Sequence, residues 1–522
     1  MGVIITDRRS FLKAAATGTA AAAFPLLGRA DSTSASIAIR SGSLGRRVPE
    51  NYIGLSYELA QLTEAAFFSP EHRDLISLFR SLSPSGLLRL GGNTSEFCWL
   101  QLEPSTPAPQ LHAPPGNLTE NWMPHRLFAI QPSAVDALAC FLHETGWQAI
   151  FGVNFGNSTP ARAASEAAYV AKALGPKLAF FQIGNEPDFY RDANNGTRPR
   201  GWNFDDYVRE WIAFADAITT AVPDARFGGP DTGASSDWVL RFGQEVAPRL
   251  GERLVALSGH YYAEGPPNDP AVTTTRLLAG DSRVTSSTNS IVRVADAHHL
   301  TYHMTEGNSC YRGGKPGMSD AFASTLWSAD YLLLLASLGC AGVNLHGGDS
   351  RFLSAGLGDH NPGLQVNPGL QVNGAEKRAA LNGFYTPISS EAGQPATARP
   401  VFFGMLMAQQ FAGATTLGID LNVKGNLTAY AARKNGRQLL AILNKEESRA
   451  FSITLKSGTP MRRAEVLWLT APSLNSTTGV AFGGSAVSSA GNWTPRTERL
   501  AMTSETAHLE LPPATGALVF FE

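Results

Sequence analysis

Two glutamates, each closing a strand-like run, stand out for chemistry in this 522-residue sequence. The first follows Leu178-Ala179-Phe180-Phe181-Gln182-Ile183-Gly184 in the tripeptide Asn185-Glu186-Pro187. The apolar run suits a strand buried on both faces of a parallel sheet, and a polar pair closed by proline stops it. Glu186 is thus placed at a strand's C-terminal tip, where a carboxylate is rare unless it is used or paired. Taken alone, the tripeptide fits a solvated turn equally well. The second glutamate tips the balance: Thr301-Tyr302-His303-Met304-Thr305-Glu306 is another strand-like run, followed by Gly307 and Asn308. Two carboxylates across one cleft suit glycosidic-bond cleavage, in which one protonates the leaving oxygen and the other attacks the anomeric carbon. Their pKa values must then differ. Apolar surroundings and a negative partner would keep Glu186 protonated, while a phenol such as Tyr262 would help Glu306 stay ionised. Asn185 is placed to donate to a sugar 2-hydroxyl as the transition state forms.

Strand tips can face each other only if the strands curl around a common opening. The pattern supplies eight strand-helix units. Strands are expected over residues 52–58, 86–93, 148–154, 178–184, 225–231, 255–262, 301–306 and 342–348. Helices are expected over 71–82, 132–144, 161–174, 204–221, 238–246, 291–298, 322–338 and 400–411. That alternation predicts an α/β fold, a (β/α)8 TIM barrel over 50–414. A doubly wound sheet lacks support, because no GxGxxG opens the first unit and no P-loop occurs. Polar residues collect at the strand ends: Glu58, Asn93, Asn154, Asn185, Glu186, Asp231, His260, Tyr262, Glu306, Asn344 and His346. From 415 to 522 short alternating strands predict an antiparallel β-sandwich. Residues 31–49 contribute one more strand to it, read from its alternation as an edge. The segment Asn361-Pro362-Gly363-Leu364-Gln365-Val366 recurs at 367–372 and reads as a duplicated loop at the barrel mouth.

Composition narrows the function classes. The chain is 43% hydrophobic and 16% charged, with a formal net charge of -2 and no basic cluster, which argues against a nucleic-acid partner. Cys98, Cys140, Cys310 and Cys340 are widely spaced, so a zinc site or dense disulfide framework is not expected. Histidines are scattered, and neither a metal nor another cofactor is called for. Residues 1–30 read as a twin-arginine export signal: Arg8-Arg9, an alanine-rich apolar stretch, then Gly28-Arg29-Ala30 before Asp31. The expected location is periplasmic or extracellular, without a membrane span in the mature form.

Asn185-Glu186-Pro187 on strand four with Glu306 on strand seven resembles the retaining glycoside hydrolases of clan A. More narrowly, the chain is similar to glycoside hydrolase family 79, the β-glucuronidase and heparanase family. The stretches that carry this are 88–93 (LRLGGN), 181–188 (FQIGNEPD), 260–262 (HYY) and 306–314 (EGNSCYRGG). The resemblance implies Glu186 as acid/base and Glu306 as nucleophile, with retention of configuration. It also implies that the loop Tyr311-Arg312-Gly313-Gly314-Lys315 lies near a substrate carboxylate. There glycines expose backbone N–H groups, Tyr311 offers a hydroxyl, and Arg312 and Lys315 either add charge or are solvated. Glu58 and Asn93 are placed to bind sugar hydroxyls, and His346 is a further candidate, although a lone strand-end histidine is often structural. Trp99, Trp122, Tyr190 and Tyr311 are packing residues or sugar-stacking ones. The function expected is an exo-acting β-glucuronidase on a glycoside or polysaccharide carrying glucuronic acid. A heparanase-like endo-enzyme, a clan A enzyme for a neutral sugar, and a non-catalytic carbohydrate-binding protein stand as alternatives.

Overall fold

The computed structural model describes residues 32–111, 126–191, 197–357, 383–391 and 393–522. Eight parallel strands close into a barrel in chain order, the eighth pairing with the first: Ile53–Glu58, Leu87–Gly91, Gln148–Val153, Leu178–Ile183, Phe227–Thr232, Leu254–Glu264, Thr301–Cys310 and Gly342–Gly347. These are barrel strands one to eight. Strands one, two and eight are buried along their whole length, as expected for strands with helices on one side and a filled barrel on the other. Leu87, Ile150, Phe180 and Ala256 plug the N-terminal end of the barrel. Above that plug the interior turns polar, and strand tips meet at the C-terminal mouth.

The helices follow local signals. Pro132 opens the helix Pro132–Thr145 and left-handed Gly146 closes it. Asn203 and Asp206 form a capping box on Phe204–Ala221. One stretch misleads. Residues 285–290 are all Ser, Thr or Asn, and only the last turns of that region read as helical in sequence. The structure instead has helices Thr274–Ala279 and Ser282–Ala297. Ser286, Ser287 and Ser290 bond back to carbonyls three or four residues earlier, so their hydroxyls are satisfied within the helix.

Ten strands form the second domain, in one continuous hydrogen-bonded sheet that curls around its own core. Its strands are mostly antiparallel and include Thr415–Asn422 and Thr506–Leu511, which the sequence did not announce. The N-terminal strand Thr33–Arg47 is not an edge. It runs antiparallel to Thr415–Asn422 on one side and parallel to Phe451–Lys456 on the other. Alternation reports which face is buried and is silent about whether the hydrogen-bonding edges are covered. Strand Arg437–Asn444 shows how the domains join. Leu439, Ala441 and Leu443 belong to the large core shared with the barrel, and Leu440 and Ile442 to the sheet's own core. The expected signal, the duplicated segment and Trp122 lie outside the described residues. No helix among those described is long and apolar enough to cross a membrane.

Candidate active site

The centre of the mouth is a buried arginine. Arg89, midway along strand two, points its guanidinium up the barrel axis, where each of its five N–H groups has an acceptor. Nε donates to Gln182 Oε1 (3.0 Å), Nη1 to Ser56 Oγ (3.1 Å) and Glu306 Oε2 (2.6 Å), and Nη2 to Asn185 Oδ1 (2.7 Å) and Asp231 Oδ2 (2.5 Å). Arginine saturates this geometry because its fork is planar and permanently charged. Sequence reasoning gave it no role, though a charge inside the apolar run Leu87-Leu88-Arg89-Leu90 was the available signal.

Glu306 is fixed from both sides. Tyr262 Oη donates to Oε1 (2.9 Å), Arg89 holds Oε2, and His346 Nδ1 lies 3.8 Å away. Burial alone would raise its pKa. The charges of His346, His260 and Arg89 and the Tyr262 hydroxyl outweigh that and bring it down to about 2, so the group is a carboxylate.

Glu186 has the opposite environment. Its backbone is left-handed (φ 51°), held by its N–H on the Asp231 carbonyl (2.9 Å). Asp188 stabilises the same turn by accepting from the N–H groups of Gly233, Ala234 and Ser235. Burial raises the Glu186 pKa and the negative Glu306 adds to it, while His260 pulls the other way. His260 Nδ1 lies 2.9 Å from Glu186 Oε1 and its Nε2 3.1 Å from Asp231 Oδ2. Burial disfavours the imidazolium, but Asp231 and Glu306 override it and lift His260 to about 10. Asp231 is itself held well below the usual carboxylate range, its burial outweighed by Arg89 and His260.

Donor atoms of Glu186, His260 and Glu306 all lie within 4.8 Å of one another. A divalent ion would find three ligands at that spacing, provided His260 gave up the proton it carries toward Glu186. Without an ion, the arrangement is a glutamate whose pKa is raised by burial and a carboxylate on opposite sides of a small opening. That pair can protonate a leaving oxygen and attack from the other face.

The other expected residues divide into two groups. Glu58, Asn93, Asn185, Tyr262 and His346 converge on the pair. Glu58 Oε2 accepts from Thr94 N (2.8 Å) and Oγ1 (2.6 Å), with Oε1 3.6 Å from His346 Nε2. Asn93 accepts from Asn185 Nδ2 (3.2 Å) and donates to the Gly356 carbonyl (2.9 Å). Tyr311 stands at the rim, its ring 6.4 Å from that of Tyr262, and Gly313 follows it. Tyr385, which sequence reasoning missed, is buried 6.2 Å from Tyr262 and 6.0 Å from His346, ring to ring. The remaining candidates lie elsewhere. Asn154 serves the Cys98 carbonyl (2.9 Å), and Asn344 sits within strand eight, bonding the Leu55 and Leu87 carbonyls. Trp99 is buried against Arg162, and Tyr190 is stacked on Trp202 beneath the Asn185 turn. These aromatics are packing. Lys315 is half-buried and not free, since its ammonium donates to Val272 O (2.6 Å) and Asp269 O (3.3 Å).

Beneath the Asn185 turn lies a second buried carboxylate, Glu96. It accepts from the N–H groups of Asn185 (2.7 Å), Phe155 (2.9 Å) and Gly156, tying the tips of strands three and four together.

No family model matches the chain. Its sequence is 30% identical over 199 residues to a β-glucuronidase of Aspergillus niger, covering 34% of this chain and 36% of that protein. A β-glucuronidase of Neurospora crassa is 30% identical over 196 residues, 34% of this chain and 35% of the relative. The matched segment therefore spans about a third of these curated relatives. In fold, the chain is similar to a 4-O-α-L-rhamnosyl-β-D-glucuronidase from Fusarium oxysporum, at 16% identity and a TM-score of 0.66, over 93% of this chain and 99% of that one. It is also similar to a family 51 α-L-arabinofuranosidase from Bifidobacterium longum, at 15% identity and a TM-score of 0.64, over 94% and 100% of the two chains. Both likenesses span barrel and sheet domain together, and the architecture is that of a TIM barrel with an appended curled sheet.

Proposed function

We propose that the protein is an exported, retaining, exo-acting β-glucuronidase of glycoside hydrolase family 79. One observation carries the hydrolase reading: a carboxylate and a raised-pKa glutamate meet within 4.8 Å across the mouth of the barrel. Retaining enzymes hold their carboxyls about 5–5.5 Å apart, whereas inverting enzymes leave room for a water at roughly 6.5–9.5 Å.

In this mechanism Glu306 attacks the anomeric carbon while Glu186 gives its proton to the departing oxygen. The glycosyl ester on Glu306 is then cleaved by a water whose proton goes to Glu186, so configuration is retained. Once Glu306 is esterified it loses its charge, and Arg89 and His260 face one negative neighbour fewer. Glu186, no longer beside a carboxylate, ionises more readily and is poised to act as the base.

The acidic-sugar reading is supported by the names of the matched relatives and by the rim loop. Gly313 and Gly314 are buried with positive φ (85° and 88°); Gly314 N–H closes the turn over Arg312 and Gly313, whereas among the described residues the Gly313 N–H donates to no protein acceptor. Buried unpaired N–H groups are rare, and one beside the mouth suits a carboxylate. The test is a panel of nitrophenyl glycosides with the purified protein and its Glu186→Gln and Glu306→Gln variants. Preferred cleavage of β-glucuronide over β-glucoside, β-xyloside and α-arabinofuranoside, lost in the Glu306 variant, is expected. Preference for a neutral glycoside would keep the two glutamates and overturn the sugar. Export is tested by fractionating cells that express the full chain and its Arg8→Lys, Arg9→Lys double variant, which should stay inside.

A further inference from the structure

Lys315 follows the two glycines of the rim loop and makes an unusual commitment. Its ammonium crosses to the loop after strand six and donates to the Val272 and Asp269 carbonyls. A lysine at the surface ordinarily keeps its charge in water, because ordering the long side chain costs rotamer freedom. Here the side chain is half-buried and spans two loops. Each loop is anchored at further points. Arg276 Nε lies 3.1 Å from Glu264 Oε1, and the Glu264 carbonyl receives the Tyr311 N–H (3.1 Å). On the other side, Gly313 accepts from Phe384 N (2.6 Å) and Lys315 N donates to Ser319 Oγ (2.9 Å). No side chain could be added at Gly265 without striking the Tyr311 ring, or at Gly314 without striking Ser319 and the Tyr385 backbone. Gly313 is the exception: among the described residues nothing lies within 4 Å of where its side chain would begin, although the residue is buried. The rim loop is thus clamped before and after the Gly313 N–H group.

We infer that Lys315 is a specificity-positioning residue: it straps the loop 311–315 to the loop 265–273, so that Gly313 presents its N–H group to a carboxylate on the sugar. The inference rests on the acidic-sugar reading above and names what enforces it. Lys315 does not touch substrate. Its role is to remove the loop's freedom before binding, so that the carboxylate does not bear the ordering cost. Losing the strap weakens recognition of the acid group and leaves the reacting carboxyls where they are, since Glu306 is held by Arg89 and Tyr262 from other strands.

The experiment compares Lys315→Met and Lys315→Arg with the unaltered protein on nitrophenyl β-glucuronide and β-glucoside. Competitive inhibition by glucuronate and by glucose is measured alongside. For Lys315→Met, the KM for glucuronide and the inhibition constant for glucuronate should rise about tenfold. The kcat for glucuronide, and kcat/KM and inhibition on the neutral series, should stay within about twofold. Lys315→Arg, which keeps a cation able to reach carbonyls, should recover part of the loss and also serves if the methionine variant fails to fold. A parallel fall on acidic and neutral ligands would make Lys315 merely structural and overturn the inference. So would an unchanged ratio of acidic to neutral affinity in both variants. If the unaltered protein shows no preference for the acidic series, the acidic-sugar reading itself fails, a result separable from the other two.

Discussion

Arg89 is the residue on which the site's electrostatics turn, because it faces Asp231 and Glu306 where all three side chains are buried and screening is weak. Removing it strands two buried carboxylates. Arg89→Met should therefore cost about 3–5 kcal/mol, seen as a fall in melting temperature, and raise the pKa of Glu306. Arg89→Lys should recover little, as an ammonium cannot serve five acceptors in one plane. The two glutamates are separable by leaving group. Glu186→Gln should lose about 10²–10⁴-fold on glycosides of alcohols and much less on nitrophenyl glycosides, whose leaving group needs no proton. Glu306→Gln should be inactive on both. His260 adds a pH signature. Its positive charge lowers both Glu186 and Glu306, so His260→Asn should move both limbs of the kcat/KM profile to higher pH. Unmoved limbs would show that His260 is neutral in the working enzyme.

Among the elements, helix Phe322–Leu338 does most to fix barrel and sheet as one unit. It is buried almost all round, and its mid-helix Asp330 accepts from Thr428 Oγ1 (2.7 Å), Tyr430 Oη (2.7 Å) and Lys445 Nζ (2.6 Å) of the sheet. Its first turn is capped by the sheet domain too, with Phe322 N on the Ser476 carbonyl and Ala323 N on that of Leu474. Asp330→Ala leaves the Lys445 ammonium buried without its carboxylate. It should lower the melting temperature and expose the sheet to proteolysis, while kcat falls little in the protein that remains folded. Eight strand-helix units were legible because most strands are compact apolar runs and several helices, such as Pro132–Thr145 and Phe204–Ala221, carry their own start or stop signals. The strand-tip placement of Glu186 and Glu306 was legible for the same reason, since a strand tip is a local event. Arg89, Asp231 and Glu96 were harder, because their meaning lies in partners on other strands. Lys315 was misread because its acceptors are backbone carbonyls, which no side-chain pattern reveals.

For the whole molecule, the ionised groups set a pH window of stability. Glu306 titrates near 2 when folded against an ordinary 4.5, so it stabilises above about 4.5 and that contribution is lost as pH falls toward 2. His260 is raised from 6.5 to about 10, so its contribution is complete below 6.5 and is lost as pH climbs toward 10. Melting temperature should peak between about pH 4.5 and 6.5 and decline on both sides; a maximum above pH 8 would contradict these assignments. The position of strand Thr33–Arg47 has a consequence for how the molecule comes into being. Its two neighbours lie roughly 380 or more residues further along the chain. At about 5–20 residues per second a ribosome needs roughly 20–80 s to deliver them. Through that interval the strand's apolar face and both its hydrogen-bonding edges have no native partner, while the barrel between can already close. The nascent chain thus carries an adhesive leading end until its last domain emerges, and chaperone demand during synthesis follows from topology rather than from any weakness of the finished fold.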